Sequence, residues 1–179
     1  MTTRQSCCTG EAAAAVADPP PIDGRFKLSD HFGREVCESD FGDRLLLLFF
    51  GFIHCQVVCP RELAKLSLAL EMLGEKGMRL QPLFVTVDPE RDTAEVMRAY
   101  TAAFDPTFVA LIPSQEQLAA MAKDFKVYYK KVEGKTPTSY SMDHSAASFI
   151  YDPQGRLRLY ARYGAGVPAL TADVKALLG

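Results

Sequence analysis

Stretches of unbroken apolar character alternate along this chain with stretches of helical periodicity. Residues 45–50, Leu45-Leu46-Leu47-Leu48-Phe49-Phe50, are apolar without interruption, as a strand covered on both faces must be. Residues 80–87 are strongly apolar and predict a second buried strand. Between them, a helix is predicted from about Pro60 to Lys76, with Gly77 where a left-handed residue closes a last turn. Thr93 is placed to cap a helix running to about Ala103, and residues 108–112 predict a short strand. Ser114-Gln115-Glu116-Gln117 has the pattern of a capping box and opens a helix to about Phe125. An edge strand is predicted over 127–132, a polar loop over 133–142, and a hairpin from 147–151 and 157–163 around Asp152-Pro153-Gln154-Gly155. Residues 171–178 close the chain as a helix. Near the start, 26–28 and 34–37 flank a turn containing Gly33, which predicts an N-terminal hairpin. This order predicts an α/β fold with a mixed central sheet and helices on both faces. No internal repeat is visible.

Composition narrows the picture. The chain has 179 residues, 48% hydrophobic and 23% charged, as expected for one globular domain with an extension. Residues 1–23, rich in alanine and ending in Asp18-Pro19-Pro20-Pro21, predict a flexible tail with a stiff linker, and residues 24–179 the domain. The net charge of −2 points away from nucleic acid. Lys123, Lys126, Lys130, Lys131 and Lys135 are interrupted by Asp124 and Glu133, the pattern of a solvated face or of a docking rim for an acidic partner. The longest apolar stretch, residues 45–53, is far short of the roughly 20 residues that span a bilayer. Residues 12–17 lack the basic flank of a secretory signal. A cytoplasmic chain, or one whose targeting segment has been removed, is expected from this alone.

Cysteine spacing is the strongest chemical signal. Cys55 and Cys59 follow the 45–50 strand at the start of a predicted helix, with Pro60 suited to a first turn. Positions four apart can share a helical face, so both sulfurs can point to one place. A helix N-terminus favours negative charge, which lowers thiol pKa and makes thiolates available as nucleophiles or soft metal ligands. The spacing by itself fits a packed structural pair equally well. Cys37 lies in a predicted strand and reads as packing; Cys7 and Cys8 read as tail thiols. Of the three histidines, His31 reads as a solvated turn residue and His54 as a loop histidine bonded to backbone. His144, in Tyr140-Ser141-Met142-Asp143-His144-Ser145, faces the cysteine turn if the strand after it lies beside the 45–50 strand.

Four segments in order, Phe50-Gly51-Phe52-Ile53-His54-Cys55 through Cys59-Pro60, Val87-Asp88-Pro89-Glu90-Arg91-Asp92-Thr93, residues 140–145, and Asp152-Pro153-Gln154-Gly155, resemble the Sco/SenC family. These are copper metallochaperones of cytochrome c oxidase assembly with a thioredoxin-like (peroxiredoxin-like) fold. The resemblance covers about Phe26 to the end. It implies that Cys55, Cys59 and His144 bind copper, as Cu(I) or Cu(II), and that the two cysteines can cycle to a disulfide. It also implies a periplasmic or membrane-facing location and a copper-site subunit of cytochrome c oxidase, or another copper or thiol protein, as partner. A membrane would be met only through an anchor that this chain does not show. Asp143, beside His144, reads equally as an outer-sphere partner of the imidazole or as a surface aspartate, whereas Asp88 and Asp92 are expected to organise their loop.

Thiolates suit soft copper(I), and an imidazole adds tolerance for copper(II). Gln56 and Val57 stand where the family often has Pro-Asp, which removes a charge beside the thiols and leaves the ligands unchanged. No proline immediately precedes residue 147, so the cis-proline of thioredoxins is not expected. The leading expectation is a binding protein rather than an enzyme. The alternative is a thiol–disulfide oxidoreductase that uses Cys55 and Cys59 to reduce a copper-site protein.

Overall fold

The computed structural model describes residues 24–179; the expected tail, with Cys7 and Cys8, lies outside the described residues. A seven-stranded mixed sheet forms the centre, in the order β2-β1-β5-β4-β3-β8-β9. Among its inner strands is β3 (Leu45–Gly51), buried along its whole length. On one side β3 runs parallel to β4 (Leu80–Thr86), and on the other antiparallel to β8 (Ala147–Tyr151). Strand β5 (Val109–Ile112) adds in parallel to β4. The edges come from the two expected hairpins: β1 (Lys27–Asp30) with β2 (Glu35–Cys37), and β8 with β9 (Leu157–Arg162).

Period-two alternation in β3 divides the core into two layers. Leu46, Leu48 and Phe50 join one layer with Leu118, Met121 and Phe125 of α3 (Gln115–Asp124). Leu45, Leu47 and Phe49 join the other with Leu63, Leu66 and Leu73 of α1 (Val58–Leu73), Met97 of α2 (Ala94–Ala102), and Val174 of α4 (Val167–Leu178). Helices therefore cover both faces, and the expected thioredoxin-like architecture is the one observed. Among the described residues, no helix is long and apolar enough to cross a membrane.

Local signals account for most element ends. The Thr93 side chain accepts from the Val96 N–H, and Ser114 and Gln117 cap each other reciprocally. The end of α1 differs from expectation: it stops at Leu73, and Gly74, with φ 57°, takes the left-handed position. Gly77 lies in the 3-10 stretch that follows, where a Cβ would sit 3.0 Å from the Leu70 carbonyl oxygen. Helix α4 starts at Val167 rather than residue 171, because Pro168 suits its first turn.

Two further corrections bear on the site. Residues 127–132 were expected at an edge of the main sheet and 133–142 as loop. Instead β6 (Tyr129–Glu133) and β7 (Tyr140–His144) form a separate antiparallel ribbon. His31, expected in solvent, is buried: its Nδ1 accepts the Ala110 N–H at 2.8 Å. That bond satisfies a backbone donor at the junction of β1 and β5, which a solvated ring could not do.

Candidate metal centre

The site lies at the C-terminal end of β3, where the chain turns into α1. Val57, the residue before α1, supplies no capping oxygen. The N–H of Cys59 instead points at the Cys55 sulfur, 3.4 Å away. That sulfur takes a first-turn donor which the helix leaves unpaired. Cys55 therefore precedes the helix rather than sharing its face, and the two sulfurs meet because one caps the turn that carries the other. The Cys55 N–H bonds the Phe52 carbonyl at 3.3 Å, holding the turn closed.

Gly51 makes room beneath this turn. A Cβ there would lie 2.6 Å from the Cys59 sulfur and 2.7 Å from the Phe84 ring. Gly51 is a functional position not singled out from the sequence above. Its signal was a glycine ending an otherwise bulky strand, a place where another group approaches the backbone closely.

His144, the last residue of β7, arrives from the opposite side. Its Nε2 lies 3.5 Å from the Cys59 sulfur, and its Nδ1 lies 3.0 Å from the Ser145 carbonyl oxygen. Phe52 and Phe49 set their rings edge-on to the imidazole, with centroids at 5.6 and 6.4 Å. Ser145, not Asp143, is thus the outer-sphere partner. Asp143 is exposed and lies opposite Lys130 in the ribbon, since neighbouring strand residues face opposite ways.

One ligand atom each from Cys55, Cys59 and His144 lies within 4.8 Å of the others. Both cysteines are free thiols. Their protons are shared unequally. The Cys59 S–H donates to the Cys55 sulfur, and with further hydrogen bonds from the Cys59 backbone, His144 and the Val57 backbone this lowers the Cys55 pKa to about 4, against the opposing effect of burial. The same hydrogen bond, followed by burial, raises the Cys59 pKa. The half-buried Cys55 is a thiolate, and the fully buried Cys59 its proton-bearing neighbour. A cavity of about 650 Å³ opens over Cys55 and His144, with Gln56, Val57, Arg91 and Tyr140 in its walls.

His54, Asp88 and Asp92 also come within 4.8 Å of one another. Both Asp88 oxygens and the Asp92 Oδ2 are already engaged there, while the Asp92 Oδ1 is buried without a hydrogen-bond partner. Asp88 accepts from Arg91 Nε and the Tyr140 hydroxyl, at 2.6 and 2.7 Å. Asp92 accepts from the Thr86 hydroxyl and the Ile53 N–H, at 2.6 and 3.2 Å. They organise the loop as expected, while His54 is exposed and falls outside the three-ligand group. Cys37 is buried at the end of β2, its sulfur 3.1 Å from the Ser39 hydroxyl, a packing role.

Comparison with known proteins agrees with this arrangement. The model of the SCO1/SenC family matches residues 14–179. A Bos taurus relative, Protein SCO2 homolog, mitochondrial, is 39% identical over 154 residues, covering 85% of this chain and 58% of its own. The solved structure of Arabidopsis thaliana ScoI with copper bound is 33% identical with a TM-score of 0.80, covering 87% of this chain and 98% of that one. Bradyrhizobium japonicum ScoI with copper bound is 34% identical with a TM-score of 0.79 over the same shares, 87% and 98%. The chain spans 50% to 58% of the length of its mammalian relatives.

Proposed function

This chain belongs to the SCO1/SenC family, and we propose that it is a copper metallochaperone that delivers its ion to a copper site of cytochrome c oxidase. The observation that carries this reading is the convergence of Cys55, Cys59 and His144 within 4.8 Å. Two sulfurs and one imidazole form a soft donor set that suits copper(I) and tolerates copper(II). Cys55 offers a thiolate already, Cys59 releases its proton as the ion binds, and His144 brings a ring nitrogen to the same point. The half-exposed Cys55 beside the open cavity gives an acceptor's ligands a path to the ion. The copper-bound relatives in Arabidopsis thaliana and Bradyrhizobium japonicum support the same choice of metal. We assign the domain to residues 24–179 and a periplasmic or membrane-facing compartment, in line with relatives named as mitochondrial.

Copper(I) titration of the reduced chain tests this directly. One ion per chain is expected, with Cys55→Ser or Cys59→Ser losing most of the affinity. His144→Ala should weaken binding and change the copper(II) spectrum while leaving the Cys55–Cys59 disulfide able to form. An unchanged affinity and spectrum in His144→Ala would favour the second reading, thiol–disulfide exchange. The low-pKa Cys55 beside a buried second thiol supports that reading. In it, the Cys55 thiolate attacks a partner disulfide and expels one partner thiolate. Cys59 then attacks the Cys55 sulfur, releasing the second partner thiol and leaving a Cys55–Cys59 disulfide.

A further inference from the structure

We propose that the turn at residues 88–92 is the frame that fixes the imidazole against the two thiols, with Arg91 and Tyr140 as positioning residues for His144. The proposal rests on the three-ligand copper reading above. The thiols and His144 are 85 residues apart in sequence at their closest contact. The ribbon that carries His144 forms no ladder with the main sheet. Pairing of β8 with β3 brings the chain just after His144 to this end of the sheet, and the ribbon itself is held against the thiols by contacts other than strand pairing with that sheet.

The 88–92 turn holds both halves. Toward the thiols, Asp92 accepts the Ile53 N–H at 3.2 Å, two residues before Cys55. Toward the ribbon, Asp88 accepts the Tyr140 hydroxyl at 2.7 Å, and Arg91 Nη1 donates to the Tyr140 carbonyl at 2.9 Å. The guanidinium lies 3.6 Å from the centre of the Tyr140 ring, and its Nε bonds Asp88 at 2.6 Å. These are charge-assisted and cation–π contacts in a partly buried setting, where they are stronger than at an exposed surface. Tyr140 begins the strand that His144 ends.

The turn is itself braced. The Arg91 and Asp92 N–H groups bond the Asp88 carbonyl at 3.2 and 3.0 Å. Thr86 accepts the Asp88 N–H at 2.9 Å and donates its hydroxyl to Asp92 at 2.6 Å. Thr86 ends β4, the neighbour of β3, and the adjoining Val87 N–H bonds the Gly51 carbonyl at 2.8 Å. One five-residue turn thus ties the cysteine loop and the histidine ribbon to the same point of the sheet. Removing Arg91 releases the Tyr140 end of the ribbon without touching any proposed ligand.

A double-mutant cycle tests the frame. Copper(I) affinity is measured by competition with a chelator in the parent chain, Arg91→Ala, His144→Ala and the double variant. Partners that orient ligands contribute about tenfold or more to metal affinity, so Arg91→Ala should lose about tenfold in the parent. With His144 already gone there is nothing left to position, and the same change should cost less than about twofold. The copper(II) spectrum of Arg91→Ala should move toward that of His144→Ala. Arg91→Lys, which keeps the charge without the planar fork, should fall between parent and Arg91→Ala. If Arg91→Ala does not fold, Tyr140→Phe serves in the same cycle, with an expected loss of about threefold, the scale of one hydrogen bond. Equal losses with and without His144, or no loss in the parent, would overturn the frame and leave the copper reading intact. If His144→Ala itself leaves affinity and spectrum unchanged, the three-ligand reading fails and the frame falls with it.

Discussion

Cys55 is held as a thiolate by hydrogen bonds that converge on its sulfur from Cys59 and His144, and its chemistry should follow. A thiol of ordinary pKa gains about tenfold in alkylation rate for each pH unit below about 8.5. With its pKa lowered to about 4, Cys55 should react with iodoacetamide at a rate nearly flat from about pH 6 to 8. Mass mapping should find it labelled before Cys59, which is fully buried. A rate that climbs steadily through this range would mean that Cys55 is an ordinary thiol. His31 gives a second titration. Burial lowers its pKa in the folded chain, so the unfolded chain binds the proton more readily. Stability is full above the unfolded pKa of about 6.5 and falls as pH drops below it. Lowering the pH from about 7.5 to 5.5 across that pKa should reduce the melting temperature more in the parent than in His31→Gln, whose amide oxygen can still accept from Ala110. The spacing of Cys55 and Cys59 was legible in the chain. The burial of His31 and the partner of His144 were not, because each depends on a backbone group brought close only by folding.

Among elements, the tip of β3 is the most constrained. Gly51→Ala would place a methyl 2.6 Å from the Cys59 sulfur and 2.7 Å from Phe84. Overpacking of this kind typically costs about 1–3 kcal/mol, and here the strain falls on a proposed ligand. Urea unfolding should show that loss, and copper(I) affinity should fall with it; unchanged values in both measurements would mean the turn adapts freely. The buried strands and the caps at Thr93 and Ser114 could be read from the sequence because their signals are local. The β6–β7 ribbon could not. Residues 130–133 are all exposed, so no apolar alternation marks them as a strand. Pairing with β7 and the contacts of Tyr140 make them one.

For the molecule as a whole, copper should behave as a ligand of the folded, reduced state. An ion held at about a thousand times its dissociation constant adds roughly 4 kcal/mol to stability, on the order of a 10 °C rise in melting temperature for a domain of this size. Copper(I) under reducing conditions should produce that shift, while magnesium, which prefers oxygen ligands, should not. The shift should shrink sharply in Cys55→Ser. A chain beginning at Gly24 should keep both the transition and the copper shift in the same scan; loss of either would place part of the domain within residues 1–23.

Hydrophobic pattern, turn residues and capping boxes determined the order of strands and helices, and with it the mixed sheet covered on both faces. They could do so because burial of β3 and β4 is written in the composition of those strands themselves. The two cysteines were likewise placed at the head of α1 by neighbours in sequence. Tertiary structure alone decided what faces them. His144 reaches 3.5 Å from Cys59 because β7 leads into β8, the antiparallel neighbour of β3. Contacts from the 88–92 turn to Tyr140 and Ile53 then join the ribbon to the cysteine loop. Such distances arise from long-range packing among separate segments, and no local pattern of residues encodes them.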